Sequence, residues 1–99
     1  MSSYLKETIE AKRIQCGTGA ASATAETLDG ALDNRKACKG VTVKNDDASI
    51  ILYVGKEGVT AATGYALKAG ESIKLEVEDP WNVYVLAASG TPAYSWMAI

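Results

Sequence analysis

The sequence predicts a small all-β domain, an antiparallel β-sandwich of about eight short strands. Three observations carry this. The chain has 99 residues, which suffices for one hydrophobic core and not for two. Apolar and polar residues alternate at Val41-Thr42-Val43-Lys44 and again from Ile73 through Leu75 to Val77, the period-two pattern of a half-buried strand. Turn signals recur every roughly 8–12 residues with no helical pattern between them, as in a sandwich or barrel and unlike a parallel β/α fold.

Taken in order, the first strand is expected over Ala11–Cys16, halted by Gly17-Thr18-Gly19. A second covers Ala21 to Leu28, poor in propensity but with Thr24 and Thr27 suited to a pleated surface. Leu28-Asp29-Gly30 and Asp33-Asn34 mark a loop before a third strand, Cys38 to Lys44. Asn45-Asp46-Asp47 supplies a turn, because short polar side chains bond their own backbone. The run Ser49 to Val54 is apolar on both faces, and pairing with the preceding strand across that turn would make a hairpin. Val59-Thr60 is a brief extended piece, and Thr63 to Leu67 leads into the Lys68-Ala69-Gly70 turn. Glu71 to Glu78 places Ile73, Leu75 and Val77 inward, and Asp79-Pro80 ends it because proline cannot donate to a ladder. Val83 to Ala87 and Ala93 to Ile99 complete the set. The segment 1–15 precedes the sandwich domain (16–99) as an arm or short helix. Leu5 and Ile9 lie four apart over Ser3–Arg13, with Glu7 and Glu10 early and Lys12 and Arg13 late, in keeping with a helix dipole.

Composition narrows function. The hydrophobic fraction is 47% and the charged fraction 22%, which excludes disorder by low hydrophobicity. A net charge of -2 argues against sequence-independent nucleic-acid binding, which needs a cationic surplus. No apolar run is long enough to span a bilayer, and no basic head with an apolar stretch marks a secretory signal. The sequence therefore reads as a cytoplasmic product.

Chemistry is thin. The chain contains no histidine, which removes the commonest general base and metal ligand. Cys16 and Cys38 are too few for a four-thiolate zinc site and do not form a Cys-x-x-Cys motif. They read either as two reduced thiols acting as small hydrophobes or as one intramolecular disulfide. Asp46 and Asp47 are turn residues, and Glu71, Glu76, Glu78 and Asp79 form a solvated face and strand end. Gly17 to Ser22 echoes a phosphate loop without its last glycine or its helix, so a flexible turn is the plainer reading. No catalytic residue, cofactor or metal is expected. Five tyrosines and two tryptophans without a phenylalanine suit a protein interface, or else a sugar-stacking platform. Tyr4, Leu5, Ile9 and Trp81 are the candidate partner-binding residues.

From Lys39 to Leu86 the chain resembles small virion proteins of tailed bacteriophages. The likeness rests on Val41-Thr42-Val43-Lys44-Asn45, Tyr53-Val54-Gly55, Val59-Thr60, Gly64-Tyr65-Ala66-Leu67-Lys68-Ala69-Gly70-Glu71-Ser72 and Val83-Tyr84-Val85. The resemblance implies a jelly-roll-like sandwich and a structural role in the virion, first as a capsid decoration or cement protein stabilising the outside of the head. It also implies a homo-oligomer, a trimer before others, with the major capsid protein or another virion protein as partner, and no nucleic acid or membrane. A carbohydrate- or receptor-binding module of a fibre or tail is the alternative.

Overall fold

A computed structural model describes residues 14–31 and 37–99. Among the described residues, eight strands form two antiparallel four-stranded sheets. The strands are β1 (Gln15–Ala20), β2 (Glu26–Thr27), β3 (Val41–Asn45), β4 (Leu52–Gly55), β5 (Tyr65–Leu67), β6 (Ser72–Leu75), β7 (Tyr84–Leu86) and β8 (Ala93–Ala98). The first sheet has the order β1-β8-β3-β6 and the second β2-β7-β4-β5. The pairs β1·β8, β2·β7, β3·β6 and β4·β5 nest like the two arms of one long hairpin rolled over into two layers. That is the jelly-roll connectivity, so the expectation of an all-β, jelly-roll-like sandwich holds.

Alternation along the strands places the core. Val41, Val43, Tyr94, Trp96 and Ala98 of the first sheet share one buried cluster with Leu52, Val54, Leu67 and Val85 of the second, and Leu28, Ala31 and Val83 belong to it too. Burying a Val or Leu side chain fully contributes about 1.5–3 kcal/mol, so this layer supplies most of the stability. Ile73 and Leu75 of β6, and Val77 just beyond it, pack against the core as the pattern demands, but β6 is an edge strand and all three stay half-buried.

The expected hairpin across Asn45-Asp46-Asp47 does not form. β3 pairs with β6 and β8, while β4 pairs with β5 and β7. The turn is a corner where the chain leaves one sheet for the other, and Asn45 builds it. Its side chain is fully buried; Nδ2 donates to the carbonyls of Ile50 (2.8 Å) and Leu67 (2.9 Å). Its Oδ1 accepts the Asp47 amide at 2.9 Å, and its backbone carbonyl accepts the Gly70 amide at 3.0 Å. One amide thus ties β3 to the entry of β4 and the end of β5. The turn chemistry was legible, but its use as an inter-sheet corner depends on partners 22 residues away.

The first strand also runs further than expected. Gly17 and Gly19 lie inside β1 rather than ending it, which corrects the expected halt at Gly17-Thr18-Gly19 and the flexible-turn reading over Gly17 to Ala20; the Ala11–Arg13 part of the expected first strand lies outside the described residues. The two glycines are there because the interior is crowded. Trp96 Nε1 donates to the Asp29 carbonyl at 2.8 Å, and the Asp29 amide donates to the Tyr94 hydroxyl at 2.8 Å. A Cβ on Gly17 would lie 2.7 Å from Trp96 Nε1, and one on Gly19 2.7 Å from the Tyr94 hydroxyl oxygen. Both glycines therefore let the edge strand close over these two aromatic rings. The second expected strand shrinks to Glu26–Thr27, matching its weak propensity. Val59-Thr60 is loop, with Val59 buried against the outward side of Gly55. The expected strand Glu71 to Glu78 shortens to Ser72–Leu75, ending before Asp79-Pro80, and a 3-10 turn over Pro80–Asn82 follows.

Candidate assembly surface

The two outer faces of the sandwich differ. On the second sheet, the 56–64 loop tucks Val59 against β4, and Leu86, facing outward beside Tyr53, is itself buried. The first sheet has no such cover among the described residues. Its outward side chains form rows fixed by the register. Cys16, Met97, Thr42 and Lys74 lie side by side across four strands, and Thr18, Ser95, Lys44 and Ser72 form the next row. At the near end, Gly40 and Ile99 exchange backbone hydrogen bonds of 3.3 and 3.2 Å, and continuing the β1·β8 register sets Ile14 beside Ile99.

The Thr18-Ser95-Lys44-Ser72 row is polar, as a solvated sheet face is, but the end of the face toward Ile14 and Ile99 carries an apolar cluster. Among the described residues four large hydrophobics are exposed, and three of them, Ile14 (46%), Met97 (48%) and Ile99 (53%), sit here together. Cys16 is exposed beside them. The only charged outward side chains within the four strands are Lys44 and Lys74, and Lys44 lies 3.9 Å from the Asp46 carboxylate. Two shallow grooves flank Met97. One, of about 580 Å³, is lined by Cys16, Thr18, Thr42, Lys44 and Ser95 among others. The other, of about 350 Å³, is lined by Lys39, Gly40, Thr42, Lys74, Met97 and Ile99.

The cysteines have separate fates. Cys38 is buried, and its thiol donates to the Val77 carbonyl at 3.1 Å; burial pushes its pKa up. Cys16 is exposed. The Cys38 amide bonds Glu78, which carries the β3·β6 ladder beyond β3. Cys38 therefore lies two strand positions from β1, about 10 Å across the sheet and further still along it. A disulfide needs Cα atoms within about 7 Å, so the intramolecular pairing is excluded by geometry and both thiols are free.

Of the residues singled out from sequence, Tyr4, Leu5 and Ile9, with the whole Ser3–Arg13 helix candidate, lie outside the described residues. Trp81 is half-buried and packs against the core from the 3-10 turn, which leaves part of one ring for a partner. Asp46 and Asp47 belong to the inter-sheet corner. Asp47 Oδ2 accepts the amides of Ser49 (2.9 Å) and Ile50 (2.8 Å), which hold its pKa below the ordinary value. Glu71, Glu76 and Glu78 are exposed, in keeping with a solvated face. Sequence reasoning missed the cluster of Ile14, Met97 and Ile99. Met97 and Ile99 did alternate with Trp96 and Ala98, but nothing local marks which set faces out. Ile14 joins them only through strand pairing with the far end of the chain.

No protein-family model and no curated protein matches this chain. It is similar to a solved chain from the Bacillus endospore appendages that form a novel family of disulfide-linked pili. Sequence identity is 21% and the TM-score 0.50, over 85% of this chain and 80% of that chain. At this identity the likeness is one of fold, and the shared feature is the β-sandwich itself.

Proposed function

We propose that this chain is a non-enzymatic structural subunit that acts by assembling, in many copies, into an extracellular protein structure such as an appendage fibre. The observation that carries the reading is the outer face of the first sheet. A sheet face bearing Ile14, Met97 and Ile99 in the open, with no carboxylate on its strands, is a surface prepared for a protein neighbour. The fold likeness to a pilus protein favours a fibre. Cys16 is the thiol a neighbouring copy could reach, while Cys38 is shielded.

A second reading is decoration of a bacteriophage head, favoured by the resemblance over Lys39–Leu86. In either setting we propose the segment before Ile14 as the part that docks on a neighbouring subunit. Weak contacts repeated around such an assembly reinforce each other, since each further contact is effectively intramolecular.

Electron microscopy and light scattering of the concentrated protein, with and without reductant, test the reading. Ordered fibres or rings, or saturable binding to expanded phage heads, are expected. Deleting the residues before Ile14 should leave the β circular-dichroism spectrum and abolish assembly. A protein that stays monomeric in every condition and binds no particle would refute the function.

A further inference from the structure

The first sheet's outer face has a built-in asymmetry about its central strand. On one side of β8 the outward positions are Ile14, Cys16 and Thr18; on the other, at the same heights, they are Gly40, Thr42 and Lys44. A protruding isoleucine thus stands on one flank, and on the other lies the groove of about 350 Å³ that Gly40 leaves open. We propose that this face packs on the same face of a second copy of the chain, about a two-fold axis running roughly along β8. The inference rests on the reading of the protein as an assembly subunit and specifies one of its contacts.

The geometry follows from the symmetry. A two-fold along β8 keeps each height and exchanges the flanks, so each contact occurs twice. Ile14 of one copy enters the groove between Gly40, Thr42, Met97 and Ile99 of the other, and its mate does the reverse. Cys16 lies over Thr42, and Met97 and Ile99 meet their own equivalents on the axis. The charges fit as well. Each Lys44 faces Thr18 of the other copy and keeps Asp46, so lysine never meets lysine, and Lys74 clears the edge of the opposing β1. Two sheets packed this way stand about 10 Å apart.

The contact is small. Three strands at about 4.8 Å spacing and roughly six residues long give a footprint well under the about 800 Å² per partner of a standard interface. The dimer is therefore weak and concentration-dependent, as befits one contact of several in a larger assembly.

Sedimentation velocity of the full chain in reductant, from about 10 µM to about 1 mM, a range suited to weak interfaces, should show a shift from monomer to dimer. Met97→Glu and Ile14→Asp change exposed side chains and should abolish the shift while leaving the thermal midpoint unaltered. In a Cys16→Ser background, Met97→Cys should be linked into dimers by a short bis-maleimide, whereas Glu57→Cys on the opposite sheet's loop should not. The chain remaining monomeric, or equal linking at both positions, would overturn the proposal. So would dimers that form only once Leu5→Asp and Ile9→Asp are introduced, because the chain's own N-terminal segment would then be the occupant. Fibres that form unimpaired with Met97→Glu would reject this contact and leave the structural role standing; absence of both fibres and dimers would reject the two together.

Discussion

The Asn45 corner gives the sharpest test of how this fold is held together. Replacing Asn45 by alanine removes two donors and one acceptor at once. The Leu67 carbonyl lies in a buried bond, so its loss costs a desolvated acceptor, about 1–3 kcal/mol. The Ile50 carbonyl and the Asp47 amide are part-buried and regain water more easily, at about 0.5–1 kcal/mol each. The expected destabilisation is therefore about 3 kcal/mol. For a domain of this size each kcal/mol shifts the midpoint by about 4–8 °C, so a fall of roughly 12–24 °C follows. Urea unfolding followed by tryptophan fluorescence measures it directly. Asn45→Asp keeps the shape but turns the donating nitrogen into a second oxygen facing two carbonyls. Its carboxyl should resist ionisation, so this variant should recover stability as pH falls and the acid stays protonated in the native state. A loss below about 1 kcal/mol for Asn45→Ala, with an unchanged denaturant slope, would refute the claim that this amide joins the two sheets.

Three further expectations follow from the same contacts. Gly17→Ala and Gly19→Ala should each cost about 1–3 kcal/mol by overpacking, because the new methyl meets Trp96 or Tyr94 at 2.7 Å; unchanged midpoints in calorimetry would show that β1 can move aside. In native protein one thiol, Cys16, should react rapidly with a disulfide reagent, and Cys38 should react only on unfolding; two equally fast thiols would contradict the burial. Burial raises the pKa of both Cys38 and Tyr94 above the ordinary values of 9.0 and 10.0. Native protein then holds protons that the unfolded chain releases, so their contribution is complete below about pH 9 and is lost as pH rises beyond it. Tyr94→Phe should flatten that alkaline decline in stability while removing the bond from the Asp29 amide, at about 1 kcal/mol; an unaltered pH profile would rule Tyr94 out as its source.

The sequence by itself determined the class of fold and the sidedness of most strands. Val41, Val43 and Ile73 to Val77 could face only one way, because a strand repeats every two residues and one face had to be buried. It also determined where the chain bends, since Asn45, Gly70, Pro80 and their neighbours act through local backbone preferences. Only the tertiary structure decided what those bends connect. Asn45 is spelled like a hairpin turn, yet its amide reaches Leu67, and that distant bond makes it a corner. Gly17 and Gly19 look like the end of a strand until Trp96 and Tyr94 are seen beneath them. The outer face is the clearest case. Ile14, Met97 and Ile99 come from opposite ends of the described chain and form one surface because β1 pairs with β8. Local preference cannot encode such a surface, because it arises from pairing between residues about eighty positions apart.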